Sequence, residues 1–215
     1  MLVIAICNTK GGVGKTTLTA ALGVRAAQDG HRVGMADLDP QESLAQWFKA
    51  RGRKDNPRIY TGTGIAADAV AALKLDGCDV AFLDGPPAFL QTILGMVAAA
   101  NIVVVPMRPN GLDIGASRDA VKFAIDAGKP LLIVLNDVVA REKAAADARE
   151  YLEGDAAKLR VAKTLVAHRA SHASAMVDGK TAAELRDAAA SEDIDELWRE
   201  IAALGKLKGR KGKRR

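Results

Sequence analysis

The residue types best suited to chemistry lie near the start of the chain, in a glycine-rich loop that contains two lysines. Residues 8–17 read NTKGGVGKTT. Glycines let backbone N–H groups approach phosphate oxygens without a clash at Cβ. Lys15 would reach the β- and γ-phosphates of a nucleotide, and the Thr16 hydroxyl would ligate Mg²⁺. The loop therefore predicts a nucleoside triphosphate site with contacts from Gly11, Gly12, Val13, Gly14, Lys15, Thr16 and Thr17.

The loop departs from the usual phosphate-binding pattern at one position. That pattern opens with a glycine five residues before the final glycine of the glycine–lysine pair, whereas this chain has Thr9 there, followed by Lys10. A dinucleotide-binding turn is the alternative, because residues 12–17 approximate G-x-G-x-x-G and Asp37 follows further on. However, Thr17 replaces the last glycine of that pattern, and a lysine has no role in such a turn. A triphosphate with Mg²⁺ fits the lysine–threonine pair better.

Three aspartates that follow apolar runs could work beside this loop. Asp84 ends such a run and could hold Mg²⁺, or it could cap the turn formed by residues 84–87. Asp37 and Asp39 are two positions apart, so at the end of a strand their side chains would face the same way. One of these carboxylates could serve the Mg²⁺ shell while the other positions the attacking water. Capping the helix that follows is the alternative role, and both roles are compatible.

These residues need strands and helices to bring them together. Continuous apolar, β-branched runs alternate with alanine-rich stretches. The pattern predicts an α/β fold with a mostly parallel twisted sheet flanked by helices on both faces. Together with the phosphate loop it predicts a single-domain P-loop NTPase. The predicted strands cover residues 2–7, 32–37, 58–61, 80–84, 102–106, 131–136 and, more weakly, 160–165. The predicted helices cover residues 15–29, 41–50, 65–73, 88–99, 114–127, 141–152, 182–189 and 193–204. Ligands of such sheets bind at the carboxyl ends of the strands.

Residues 10–17 resemble the deviant Walker A loop of the ParA/MinD family of ATPases, and residues 37–41 match that family's second motif. The resemblance implies that Lys10 reaches across a dimer interface to the ATP of the partner. It also implies a metal-shell role for Asp37 beside Thr16 and Asp84, and a water-orienting role for Asp39. The catalytic residues would then be Lys10, Lys15 and Asp39. Asn136, at the end of the sixth predicted strand, would contact the adenine base.

The resemblance covers roughly residues 1–204 and is nearest to the short plasmid-type ParA partition proteins. It implies an ATPase that forms a homodimer with ATP, binds DNA non-specifically and hydrolyses ATP slowly when a ParB-like or other cargo adaptor stimulates it. Such a protein segregates DNA or positions a cargo, and is cytoplasmic and nucleoid-associated. In this family a basic residue of the C-terminal region contributes to DNA binding, and Arg169 is the candidate. The first predicted strand begins at Leu2, so we expect no helix-turn-helix domain before the fold.

Charge is unevenly distributed along the 215 residues. The net charge is +5, but the last ten residues hold seven basic residues and no acidic one, which leaves 24 basic and 26 acidic residues elsewhere. We therefore predict an ATPase domain over residues 1–204 and a basic, disordered tail over residues 205–215. The predicted DNA contacts of the tail are Lys206, Lys208, Arg210, Lys211, Lys213, Arg214 and Arg215. Two cysteines without metal-ligand spacing favour a reducing, cytoplasmic setting.

Two other functional classes share this fold and stay open as alternatives. A metabolic enzyme such as dethiobiotin synthetase is one, whereas a nitrogenase iron protein is disfavoured because it needs cluster-ligating cysteines after Asp84, and Cys7 and Cys78 both precede it. A membrane-positioning ATPase of the MinD kind needs an amphipathic C-terminal helix, and the tail has only Leu207 among its charges. His168 and His172 are four residues apart, but no third ligand accompanies them, so we predict no metal site there. No apolar run reaches eighteen residues, so we expect no membrane span and no membrane partner.

Overall fold

Seven parallel strands form the sheet at the centre of the described structure. The computed structural model describes residues 1–52, 55–62, 64–139, 143–154 and 158–207. The strands are β1 (Leu2–Ile6), β2 (Val33–Asp37), β3 (Arg58–Tyr60), β4 (Val80–Asp84), β5 (Ile102–Met107), β6 (Leu131–Val138) and β7 (Val166–Ala167). Their order across the sheet is β3-β2-β4-β1-β5-β6-β7, and each pair of neighbours is parallel. The predicted fold class is confirmed.

The last strand lies later in the sequence than predicted. β7 pairs with β6 through Val166 and Ala167, whereas Val161, inside the predicted segment 160–165, forms only an isolated bridge with Ile133. β6 extends to Val138, two residues beyond its predicted end. The residues of β7 that pair with the end of β6 therefore lie later in the sequence than the predicted segment 160–165.

Helices cover both faces of the sheet. In the described ranges they are α1 (Lys15–Gln28), α2 (Ser43–Ala50), α3 (Ala66–Leu75), α4 (Leu90–Ala99), α5 (Gly111–Ala116), α6 (Arg118–Asp126), α7 (Ala144–Glu153), α8 (Ala170–Val177), a 3₁₀ helix (Ala182–Leu185) and α9 (Ala188–Leu204). The prediction missed α8, whose serines and histidine weaken its helix propensity. The predicted helix 182–189 is wrong, because Arg186 adopts a φ of 64° and the Asp187 side chain then caps α9 at the Ala190 N–H.

The predicted helix 114–127 is two helices that meet at Ser117. The Ser117 hydroxyl donates to the carbonyl of Asp113 at 2.6 Å and accepts a hydrogen bond from the Asn8 side chain at 2.7 Å. This side-chain pairing competes with a continuous helix, as serine commonly does. It also connects the start of α6 to the residue that follows β1.

The core has two layers because alternate residues of each strand face opposite sides of the sheet. Val3 and Ala5 of β1 face the cluster that contains α3, α4, α6 and α7, whereas Ile4 and Ile6 face the cluster that contains α1, α2 and α9. Trp198 of α9 is fully buried in the second layer. Leu207 packs against this layer and its N–H donates to Ala202, so the packed part of the described chain extends three residues past the predicted domain boundary.

The parallel register brings the predicted carboxylates to one edge of the sheet. Asp84 is paired in register with Ile6 of β1 and with Asp37 of β2. Because β1 lies between β4 and β5, the loop after β1 starts between the ends of those two strands. Within the described residues, a search for helices long and apolar enough to cross a membrane finds none.

Candidate nucleotide-binding site

The loop between β1 and α1 has the backbone of a phosphate cradle. Gly12 and Gly14 adopt φ values of 72° and 88°, which residues other than glycine rarely adopt. A Cβ at Gly14 would also lie 2.3 Å from the side-chain nitrogen of Asn136. The fully buried Asn8 holds the start of the loop, because its amide donates to Pro106 and its Oδ1 accepts from the N–H of Lys10. Contacts within the chain therefore hold the loop in this shape.

Lys15 lies inside this loop. Its side chain is buried, with a relative exposure of 7% for the residue, and its Nζ donates to the Lys10 carbonyl at 3.0 Å. Burial lowers the pKa of Lys15, while the nearby carboxylates of Asp84 and Asp39 act in the opposite direction. The ammonium group is thus held by the loop backbone, at the centre of the cradle that the sequence predicts for phosphates.

Asp84 is the most deeply buried carboxylate of the site. Its exposure is 0%, and burial raises its pKa to about 7 although hydrogen bonds from Thr16 and Thr19 and the charge of Lys15 oppose the rise. Oδ1 accepts a 3.1 Å hydrogen bond from Thr19, whereas Oδ2 is buried with no well-formed hydrogen bond from the described residues. A buried carboxylate oxygen without a donor suits a cation, and the Thr16 hydroxyl beside it is a second hard oxygen ligand. These residues fit Mg²⁺.

Asp37 caps the first turn of α2, which was the alternative to a chemical role, whereas Asp39 closes the turn before that helix. Asp37 accepts hydrogen bonds from the N–H groups of Asp39 and Ala45, and Asp39 accepts one from the N–H of Gln41. Burial nevertheless raises the pKa of Asp37, and its charge reaches Asp84. Asp39 is partly exposed and faces Lys15 closely enough to influence the pKa of that lysine. These hydrogen bonds orient both carboxylates beside the phosphate loop.

Lys10 does not point into the cradle of its own chain. Its Nζ lies 3.9 Å from Oδ1 of Asp113, a residue of α5, and its side chain is 44% exposed. The Asp113 side chain is 7% exposed, and its Oδ2 is buried without a hydrogen-bond partner among the described residues. The two loop lysines therefore occupy different surroundings, one buried in the cradle and the other held loosely at the surface.

A pocket of about 290 Å³ continues from the phosphate loop to the ends of β6 and β7. Asn136, the predicted adenine contact, lines this pocket, and its side-chain N–H donates to the carbonyl of Val13 at 2.8 Å. The amide therefore supports the loop as well as facing the pocket. The pocket is also lined by Thr17, Leu18, Ala21, Arg108, Asp137, His168, Arg169, His172 and Ile194.

Arg169 lies at this pocket and contacts an acidic partner. Its guanidinium is 3.2 Å from Asp193 of α9, and its side chain is 27% exposed. His168 contacts Asp137 at 2.5 Å, and within the described residues no three histidine, cysteine, aspartate or glutamate side chains cluster as metal ligands. Of the predicted tail contacts, only Lys206 is described. Lys208, Arg210, Lys211, Lys213, Arg214 and Arg215 lie outside the described residues.

Several residues that shape the site were not predicted from the sequence. Asn8, Asp113 and Ser117 fix the loop and its first lysine, and Arg108 and Asp137 border the pocket. Asp137 adjoins the predicted site residue Asn136, and Asn8 lies two residues before Lys10, so closeness in sequence was a usable signal. Asp113, Ser117 and Arg108 contact the loop from positions that are about a hundred residues away in the chain.

Comparisons with known proteins give the family and the fold of the chain. A family profile described as "CobQ/CobB/MinD/ParA nucleotide binding domain" matches residues 4–210. "Maintenance of carboxysome distribution protein A" of Halothiobacillus neapolitanus is 28% identical over 208 residues, covering 92% of this chain and 95% of the relative. "Protein ParA" of Rhizobium radiobacter is 32% identical over 120 residues, which span 54% of each protein. The structure of the septum site-determining protein MinD of Pyrococcus horikoshii OT3, complexed with Mg-ADP, superimposes with a TM-score of 0.77 at 17% identity and covers 99% of both chains.

Proposed function

The chain belongs to the family of CobQ/CobB/MinD/ParA nucleotide binding domains, and on that premise we propose that it is a positioning ATPase of the ParA type. It binds ATP with Mg²⁺, forms a homodimer in the ATP state, binds DNA non-specifically and hydrolyses ATP slowly until an adaptor protein stimulates it. The name of the carboxysome-distribution relative supports a role in distributing a cargo. The cargo adaptor, ParB-like or of another kind, is the partner, and the dimer acts at the nucleoid.

The observation that carries the proposal is that a lysine and a carboxyl group are both buried beneath the phosphate loop. Lys15 and Asp84 have exposures of 7% and 0%, and the ion pairs of the described residues include neither of them. Burying such groups is costly unless a ligand of matching charge completes the site. A triphosphate supplies oxygens for Lys15, and Mg²⁺ supplies a cation for Asp84.

Each residue of the site then has one task. The loop N–H groups and Lys15 bind the β- and γ-phosphates, and Thr16 with Asp84 and Asp37 would hold Mg²⁺ directly or through water. The bound Mg²⁺ would neutralise charge that develops on the phosphate oxygens. Asp39, partly exposed at the rim of the cradle, orients the attacking water. Because the two capping contacts of Asp37 hold the turn rigid, Asp39 needs little reordering for this task.

The exposed position of Lys10 supports an interface role. At 3.9 Å its contact with Asp113 is long for an ion pair, and the exposed ammonium loses little when it moves to another anion. In the ATP state we expect Lys10 to leave Asp113 and contact the phosphates bound to the partner subunit. The dimer doubles the number of basic tails, which is how ATP would control DNA binding.

Titration calorimetry with Mg-ATP tests the nucleotide site. Wild type is expected to bind, and Lys15→Ala should bind at least tens-fold more weakly, because each charge-assisted contact contributes about 1.5–3 kcal/mol. Lys49→Ala, which removes an exposed lysine from α2, is the matched control and should bind as wild type does. Equal affinity of the Lys15 variant and wild type would refute the assignment of the loop. Light scattering and a DNA gel shift, each with and without ATP, then test the dimer and its DNA binding.

A further inference from the structure

An arginine bridges the mouth of the nucleotide pocket. Arg108 follows β5, and its Nη2 donates to the carbonyl of Gly12 in the phosphate loop at 2.9 Å. Its Nε lies 2.8 Å from Oδ2 of Asp137 on β6. The guanidinium is therefore held from both sides of the pocket, by two elements that are separated by more than 120 residues in the sequence.

The backbone of β6 is shaped to present Asp137 to this arginine. The pairing of β6 with β7 shifts register between Asn136 and Val138, and Asp137 itself has a φ of 60°. Bulges next to functional sites commonly re-aim a side chain, and strained backbone persists where the surrounding structure compensates for it. Here the bulge turns the Asp137 carboxylate to the pocket, where Arg108 meets it.

A second basic residue holds the other oxygen of the same carboxylate. His168 Nδ1 lies 2.5 Å from Oδ1 of Asp137, and the hydrogen bond from His168, followed by the charge of Arg108, lowers the pKa of Asp137. Both carboxylate oxygens of Asp137 therefore already have a partner within the chain, so neither is available to contact a ligand. Arg108, in contrast, carries five N–H donors and uses two of them in these contacts.

We propose that Arg108 is a nucleotide-binding residue of this chain, which donates hydrogen bonds to a phosphate oxygen of the bound nucleotide, and that Asp137 and His168 are the residues that position it. The inference rests on the proposed ATP site, because Arg108 lines the pocket that continues from the phosphate loop. A planar guanidinium that is already oriented loses little freedom when it contacts a phosphate. Its contact with Gly12 keeps it beside the loop that binds the phosphates.

Titration calorimetry with Mg-ADP tests the proposal, because ADP involves neither hydrolysis nor the ATP-dependent dimer. Arg108→Gln should weaken binding by about tenfold, as expected for the removal of one charge-assisted contact. Asp137→Asn should cause a smaller loss, because Arg108 remains but is no longer oriented. The double variant should bind no more weakly than Arg108→Gln alone, since Asp137 acts only through the arginine. Arg118→Gln, at an exposed position of α6, is the matched control and should bind as wild type does.

Three results would overturn the proposal. One is wild-type affinity in Arg108→Gln, and another is tighter binding in Asp137→Asn, which would mean that the carboxylate merely repels phosphates. The third is a full additive loss in the double variant. Unfolding curves of the variants should match wild type, because the Arg108 and Asp137 side chains are 44% and 31% exposed. If wild type itself does not bind Mg-ADP, or if Lys15→Ala binds as well as wild type does, the proposed nucleotide site fails instead.

Discussion

The buried carboxylate of Asp84 makes the stability of the ligand-free protein depend on pH in an unusual direction. Burial raises its pKa from the ordinary 3.8 to about 7. The folded protein therefore keeps a proton that the unfolded chain releases, and the free energy of unfolding falls as the pH rises through this interval. Above pH 7 the folded state holds a buried anion whose Oδ2 lacks a well-formed hydrogen bond from the described residues. Asp84→Asn has nearly the same shape but no charge, so the variant avoids this loss.

The size of the effect follows from the two pKa values. The whole interval corresponds to about 4 kcal/mol of unfolding free energy, of which about 3 kcal/mol falls between pH 5 and pH 8. We therefore expect the unfolding free energy of Asp84→Asn, relative to wild type, to rise by about 3 kcal/mol across that range. Adding Mg²⁺ and ATP should reduce the difference, because the wild-type carboxylate then has a cationic partner.

Urea denaturation without nucleotide or Mg²⁺, followed by the fluorescence of the buried Trp47 and Trp198, measures this difference at each pH. Asp76→Asn, at the exposed end of α3, is the control and should stay within about 0.5 kcal/mol of wild type. A difference between Asp84→Asn and wild type that does not change with pH, or that changes in the opposite direction, would refute the reasoning.

Four further changes test the interface, the chemistry, the tail and the packing. Lys10→Ala should bind ATP but stay monomeric in light scattering with ATP, and a persisting ATP-dependent dimer would contradict the role of Lys10 at the interface. Asp39→Ala should bind ATP and form the ATP-dependent dimer but release no phosphate, since orienting the water stabilises only the transition state. Retained hydrolysis in a phosphate-release assay would show that another residue orients the water. Truncation after Leu207 removes six basic residues and should weaken binding to DNA of every sequence. In a plot of log affinity against log salt concentration, the slope should fall by about 0.9 for each phosphate that the tail no longer neutralises. An unchanged slope would show that the tail does not contact DNA. Arg51→Leu leaves the half-buried Glu184 without its 2.7 Å partner and should lower the unfolding free energy by about 3 kcal/mol in urea, whereas a decrease below about 1 kcal/mol would show that solvent replaces the pair.

The phosphate loop and its carboxylates were predictable because their signals are local. Glycines at 12 and 14 permit the positive φ values that the cradle needs, and Lys15 and Thr16 follow them at the start of α1. Asp84 directly ends an apolar run, so its position at the edge of a buried parallel sheet followed from the alternation of strands and helices. Helix boundaries were less predictable, as at Ser117 and Arg186, where a side-chain hydrogen bond or one backbone torsion decides where a helix ends.

The partners of the site residues depended on the tertiary structure. Because β1 lies beside β5 and β5 lies beside β6, residues that are distant in the sequence come into contact. These contacts are Asn8 with Ser117, Lys10 with Asp113, and Arg108 with Gly12 and Asp137. Strand order arises from the packing of the whole chain, and no short segment encodes it. The bulge that turns Asp137 to the pocket likewise exists only in the pairing of β6 with β7. Local residue chemistry therefore specified which ligand the loop suits, whereas the order of the strands decided which distant side chains surround it.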